Sequence, residues 1–181
     1  PQCLAMGKAC TSWINGHAAP FYNPAGVSAL HRKTWEFNLF ALDGIYSSGG
    51  LSLATKGMSF GNYRLMGPLK ESAGTYAYFN YSVYPSVSFR GLTFGVMTNY
   101  QFAGLSDGVN ADIDTRQDIV PTLGIARHLA GNLLKLGIAG KAVIRNQMKG
   151  SFSHDVLAGF DDSSFPTLYK EGMGFGADIG V

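Results

Sequence analysis

The sequence predicts an all-β protein, a partial transmembrane antiparallel β-barrel with about six to eight strands in this chain. Charged residues form only 14% of the 181 residues, while glycine reaches 24, phenylalanine 12 and tyrosine 9. An average soluble protein carries roughly 25% charged residues, so this composition suits a surface that meets hydrocarbon. The sequence holds no run of about 18 apolar residues, so a membrane crossing would need strands.

The first predicted strand covers residues 34–42. One face would carry Trp35, Phe37, Leu39 and Ala41 and the other Glu36, Asn38, Phe40 and Leu42, so its two faces are less distinct than those of the later strands. We expect the next residues, 43–74, to form an extracellular loop. Within this loop the pattern indicates a short strand near 51–54 and a helical turn near 69–72.

The second and third predicted strands, 75–89 and 92–102, form a hairpin around the tight turn at Arg90 and Gly91. One face of each strand is apolar and the other is mostly polar. The apolar face of the second strand consists of Ala77, Phe79, Tyr81, Val83 and Val87.

A second hairpin follows, with predicted strands at 113–128 and 133–149. Its charged side chains keep to one face, which we expect to line the barrel lumen. They are Asp114, Arg116, Asp118, Lys135, Lys141 and Arg145. Charges of both signs on neighbouring strands predict cross-strand ion pairs of about 0.2–1 kcal/mol each, and a selectivity filter is the alternative.

The sixth predicted strand is 171–181, and the connections between strands are unequal. Short turns follow the second and fourth strands, whereas polar stretches at 104–111 and 150–170 follow the third and fifth. Short turns on one side and long loops on the other are typical of outer-membrane barrels. A secreted soluble β-sandwich would sort its faces in the same way. Strand lengths of about 11 to 16 residues favour the membrane, since a tilted crossing needs about 9–11.

Near the N-terminus, Asn23-Pro24-Ala25-Gly26 has the residues that a type I turn favours. The surrounding segment resembles the N-terminal region of the FadL family of long-chain fatty acid transporters and its PorV-like relatives. The residues that match the family pattern without a gap are Ala5, Met6, Gly7, Ala9, Phe21, Tyr22, Asn23, Pro24, Ala25 and Gly26. The segment departs from the family at Lys8, where a second glycine is usual, and at Asn15-Gly16, where acidic residues are common.

The resemblance implies two regions, a plug or hatch at 1–33 that lies inside the barrel and barrel strands at 34–181. It implies a bacterial outer-membrane location in contact with membrane lipids, and passage of hydrophobic small molecules through a pocket and a lateral opening. Phe21 and Tyr22 would then pack the plug against the wall, a role we favour over direct ligand contact because buried aromatic side chains usually pack.

Six strands do not close a barrel around a plug, since about eight strands is the bacterial minimum and such a small barrel is filled by its own side chains. We therefore expect the chain to be part of a longer protein, or to share a barrel with further chains. A third arrangement is an eight-stranded barrel with added strands near 51–60 and 151–160 and an external N-terminus.

Cys3 and Cys10 are candidates for a disulfide in an oxidising compartment, with two buried thiols as the alternative. The four histidines are scattered, so the sequence indicates no metal site, no cofactor and no catalytic site, and we do not expect an enzyme. It has no basic stripe that would indicate a nucleic-acid surface. The function we expect is uptake or passage of hydrophobic small molecules. The alternative is a non-transporting outer-membrane scaffold that pairs with partner proteins in an envelope complex.

Overall fold

The computed structural model describes residues 18–29, 35–51, 73–89, 91–129, 133–153, 155 and 169–181. Its elements, in chain order, are α1 (Ala19–Tyr22), a 3₁₀ helix (Pro24–Ala29), β1 (Trp35–Asn38), β2 (Leu42–Tyr46), β3 (Tyr76–Val83), β4 (Ser86–Phe89), β5 (Leu92–Ser106), β6 (Asn110–Leu129), β7 (Leu134–Ser153) and β8 (Lys170–Gly180).

The strands form one antiparallel sheet in the order β1-β4-β5-β6-β7-β8, with β2 paired to β3 and β3 paired to β5. β3 and β4 follow β5 in a single register, so they are one strand interrupted at Tyr84 and Pro85. β1 and β2 pair with this strand in registers that differ by one residue, which places a bulge between Asn38 and Leu42. The eight segments therefore trace the six predicted strands.

Two predicted loops are partly strand. The expected loop at 104–111 is a tight turn of residues 107–109, because β5 continues to Ser106 and β6 begins at Asn110. Gly108 supplies the left-handed backbone, with φ of 93°, that closes so short a turn. The loop expected from residue 43 begins only after β2, whose backbone pairs with β3.

The strand predicted near 51–54 is wrong at Leu51, which is helical together with residues 48–50. The rest of that strand and the helical turn predicted near 69–72 lie outside the described residues. The additional strand suggested near 151–160 does not begin at residue 151 as a separate element, because 151–153 belong to β7.

The sheet has two chemically distinct faces, because paired residues in neighbouring antiparallel strands point to the same side. The charged side chains of the charged face include Asp114, Arg116, Asp118, Lys135, Lys141, Arg145, Lys149 and Asp178. The apolar face carries the alternate residues of every strand. One row of it crosses the whole sheet and consists of Trp35, Phe89, Leu92, Ile125, Ile138 and Ile179.

Much of the apolar face is open to its surroundings. Twelve of its large side chains between the Ile125 row and the Ile119 row are 44–78% exposed: Trp35, Phe37, Leu42, Leu92, Phe94, Leu123, Ile125, Ile138, Ile144, Met173, Phe175 and Ile179. Soluble monomers rarely expose a contiguous apolar patch larger than a few hundred Å². We call this surface the apolar band.

Beyond the apolar band, towards the 107–109 turn, the same face is buried. Ala77, Phe102, Ala111, Ile113 and Met148 form a core cluster there, and Phe79, Tyr100, Phe152 and Tyr169 pack against it. The ring centroids of Phe79 and Phe102 are 5.1 Å apart in a stacked arrangement. The apolar face is therefore divided into an exposed part and a covered part.

The sheet is open in the part of the chain that the structure describes, with β1 and β2 along one edge and β8 along the other. The prediction of an all-β antiparallel sheet is confirmed, while closure into a barrel is not observed among these residues. None of the described helices has the length and apolar character needed to cross a membrane.

Candidate functional site

The N-terminal segment 18–29 lies on the charged face, against β6, β7 and β8 at the end near the 129–134 connection. α1 begins with Pro20 in its first turn, where the missing backbone N–H needs no partner, and ends at Asn23, whose backbone is extended. Ala19 and Val27 are fully buried and form a small core with Ala126 of β6. A short, mostly apolar segment thus covers one end of the charged face.

The predicted turn at Asn23-Pro24-Ala25-Gly26 is confirmed. The Gly26 backbone N–H donates to the Asn23 carbonyl oxygen at 3.0 Å, and the Ala25 N–H donates to Asn23 Oδ1 at 3.1 Å. The other side-chain atom of Asn23, Nδ2, donates to the Val181 carbonyl oxygen at 3.1 Å. Asn23 therefore closes the turn and also joins it to the end of β8.

Three glycines form the surface on which this turn rests. A Cβ atom at Gly137 would overlap the Pro24 carbonyl group, and one at Gly180 would overlap the Asn23 side chain. At Gly124 a Cβ would lie 3.1 Å from Pro20 Cγ. We call Gly124, Gly137 and Gly180 the glycine seat, since a Cβ atom at each of them would press against atoms of the N-terminal segment.

The two aromatic residues of the motif have different surroundings. Phe21 makes an edge-to-face contact with Tyr84, with ring centroids 4.9 Å apart, and Lys141 Nζ lies 5.2 Å from the centre of the Phe21 ring. Tyr22 is 49% exposed. Phe21 packs against the sheet, whereas Tyr22 leaves much of its ring free to contact something else.

His128 of β6 holds the far end of the segment. Its Nε2 lies 2.7 Å from the Ser28 carbonyl oxygen, and Ser28 Oγ donates to the Ala25 carbonyl oxygen at 2.7 Å. Because the carbonyl is an acceptor, the Nε2 atom must carry the proton in this contact. The segment is thus fixed to β6 as well as to β8.

The strongest electrostatic feature of the charged face is centred on Asp118, which is 4% exposed. Arg116 donates to Asp118 Oδ2 through Nε at 2.8 Å and through Nη2 at 2.5 Å. Arg145 on β7 donates through Nε to Oδ1 at 2.7 Å. One buried carboxylate therefore joins two guanidinium groups, and the cluster keeps a net positive charge.

The other charged residues form smaller groups. Asp114 accepts from Gln147 at 3.2 Å and pairs with Lys149 at 3.5 Å, while Lys141 pairs with Asp178. Lys135 is exposed near the N-terminal segment, and no described carboxylate pairs with it. The six charges singled out in the sequence thus share one face but do not form one site.

Sequence reasoning missed Asp178, Lys149, Gln147 and the glycine seat. Asp178 and the glycines of β8 occupy every second position of the strand, a pattern that indicates one face with almost no side chains. Their partners could not be found in that way, because a pairing depends on strand register. Cys3 and Cys10, with the rest of 1–17, lie outside the described residues, and no metal-binding group of His, Cys, Asp or Glu occurs within the described part.

Comparisons with protein-family models, curated proteins and solved structures found no match to this chain. The resemblance to the FadL family therefore stays a prediction that rests on the residues quoted for it.

Proposed function

We propose that this chain forms part of the wall of an outer-membrane β-barrel, that the segment 18–29 lies on the lumen side, and that the barrel passes hydrophobic small molecules. The charged face is the lumen side and the apolar band faces lipid. The two faces would then have the polarity typical of such barrels, apolar outside and polar inside.

The height of the apolar band is the observation that carries this proposal. On β6 the band is bounded by Arg127 at one end and by Gln117 at the other. Ten residue steps separate these two residues, which is about 33 Å along an extended strand. At a strand tilt of about 35–45° the two polar residues that bound the band are about 23–27 Å apart along the membrane normal, close to the height of about 25 Å of the apolar belt in outer-membrane barrels.

The boundary of the band on the side of the 107–109 turn is a row of side chains that crosses several strands. Tyr100, Gln117, Asn146 and Glu171 are successive partners on β5 to β8. All four side chains carry a polar group, whereas the row next to them is apolar on β6, β7 and β8, at Ile119, Ile144 and Met173, and has Thr98 on β5. A boundary at the same register on β6, β7 and β8 is expected where a sheet leaves hydrocarbon for an aqueous interface.

An arginine scan of the apolar band tests the membrane location. Leu123 lies near the middle of the band, whereas Leu136 pairs with Arg127 at its boundary. For protein folded in lipid vesicles, we expect Leu123→Arg to lower the free energy of unfolding by about 2–4 kcal/mol. Leu136→Arg should lower it by about 0–1 kcal/mol. Equal losses for the two variants in a urea titration would contradict the proposal, because a protein or water interface has no such dependence on depth.

The position of the N-terminal segment over the charged face, where it would occupy the lumen of the proposed barrel, supports a role in passage. Uptake of a fluorescent long-chain fatty acid by cells that produce the protein measures this part. We expect deletion of residues 1–33 to change the uptake rate severalfold while the protein still reaches the outer membrane. Unchanged uptake, with membrane levels equal to those of the full chain, would exclude a transport role for the segment.

The two open edges of the sheet favour a second candidate, a scaffold that pairs with other envelope proteins. An edge strand presents unpaired N–H and C=O groups that recruit another strand. A scaffold predicts a stable partner in protein extracted from native membranes and no effect of the 1–33 deletion on uptake. Isolation as a lone monomer with intact uptake would exclude it.

A further inference from the structure

A groove of about 420 Å³ lies between β6 and β7 and runs from one boundary of the apolar band to its middle. Leu123, Ile125, Leu136 and Ile138 form its sides. Gly140 lies at one end, and a Cβ built there meets no atom within 4 Å, so the absence of a side chain leaves this part open. The groove is thus a shallow, almost wholly apolar channel on the face that we assign to lipid.

The other end of the groove carries a positive charge. Arg127 lines the groove, and it is the only cationic residue on the apolar face of the described strands. Among the residues that the structure describes, no carboxylate pairs with its guanidinium group. A guanidinium group binds phosphate oxygens well, since its parallel N–H groups match their geometry.

We propose that this groove binds one anionic phospholipid, with the lipid phosphate on Arg127 and an acyl chain along Ile125 and Ile138 towards Gly140. This inference rests on the membrane location proposed above. The arrangement matches the ligand in two respects, since the charge stands at the boundary of the apolar band, where lipid phosphates lie, and the channel runs from it into the band.

Native mass spectrometry of the full chain in detergent, titrated with phosphatidylglycerol or phosphatidylethanolamine, tests the proposal. We expect phosphatidylglycerol to bind the unaltered protein more tightly. Arg127→Gln should weaken its binding about fivefold, the effect of about one surface cation on an anionic lipid. Gly140→Leu should weaken it about tenfold, because the new side chain displaces about two methylene groups of the acyl chain.

Lys135→Gln is the matched control, since it removes a positive charge at the same end of the sheet but from the charged face. Phosphatidylglycerol binding should not change in this variant. The proposal is overturned if Lys135→Gln and Arg127→Gln weaken binding equally, if Gly140→Leu binds as the unaltered protein does, or if soluble glycerol phosphate competes as well as the lipid.

Retention of the protein in phospholipid vesicles after a carbonate wash separates this inference from the proposed function. If the unaltered protein stays in the vesicles but binds the two lipids equally, the groove proposal alone fails. If it is washed out, the membrane location fails as well.

Discussion

At the scale of single residues, the charged face depends on side chains that satisfy one another across strands. Asp118 is the clearest example, because its buried carboxylate accepts hydrogen bonds from arginines on β6 and β7. Both arginine side chains are about one third exposed, at 35% and 39%. Solvent therefore screens part of the interaction, and its contribution is smaller than that of a fully buried ion pair.

We expect Asp118→Asn to lower the free energy of unfolding by about 1–3 kcal/mol, because two guanidinium groups lose their carboxylate while the side-chain shape is kept. Urea titration measures the change. Asp114→Asn is the control, since Asp114 and its partner Lys149 are more exposed and their pair should contribute under about 1 kcal/mol. Equal losses for the two variants would show that the Asp118 cluster has no special role.

The second prediction for single residues concerns the glycine seat. Gly137→Val places side-chain atoms where Pro24 and Ala25 lie, so we expect the N-terminal segment to leave the sheet and the free energy of unfolding to fall by about 1–3 kcal/mol. Proteolysis within residues 18–29 should become faster. Gly140→Ala, whose added Cβ meets open space, should cleave at the unaltered rate. Equal protection of the segment in both variants would contradict the proposed contact.

At the scale of elements, the turn between β5 and β6 shows how a polar stretch can close a hairpin. Asp107 Oδ1 accepts from the Asn110 N–H at 2.6 Å and from the Val109 N–H at 2.8 Å. These backbone hydrogen bonds, first that from Asn110 and then that from Val109, lower the pKa of Asp107 below its ordinary value of 3.8. The turn is therefore held by the ionised carboxylate.

This lowered pKa fixes the direction of a pH effect. A carboxyl group with a lower pKa in the folded state stabilises the fold above the unfolded pKa of 3.8 and loses that effect as the pH falls through the folded value. We expect amide hydrogen exchange at Val109 and Asn110 to accelerate below about pH 4 relative to the intrinsic rate. Asp107→Asn should remove this pH dependence, and an unchanged profile in that variant would assign the effect to another group.

At the scale of the whole molecule, the open edges determine what the sheet can do in a membrane. Backbone groups that face hydrocarbon without partners cost several kcal/mol each, so strands in a bilayer must pair along both edges. The proposed barrel predicts that the amides of β8 exchange as slowly as those of β6 in protein extracted from native membranes, because another strand would then cover the β8 edge. Fast exchange along β8, with slow exchange in β6, would contradict a closed barrel.

The sequence by itself determined the two-faced strands. Phe79 and Asn80, or Asp118 and Ile119, must point to opposite sides of any extended strand, so the composition of each face follows from period two alone. The turn at Asn23 to Gly26 could also be predicted from the local sequence, because the conformational preferences of asparagine, proline and glycine favour it without distant contacts. Strand ends were less certain, since polar residues such as Ser106 and Asn110 fit a strand as well as a loop.

Only the tertiary structure decided which residues meet across the sheet. The pairing of Lys141 with Asp178, the alignment of Gln117 with Asn146, and the contact of Pro24 with Gly137 all depend on register. A shift of one residue would turn each strand over, and the local sequence does not set which partner strand or offset is chosen. For this reason the sequence could indicate an apolar face and a charged face, while the apolar band, the groove beside Arg127 and the glycine seat required the folded sheet.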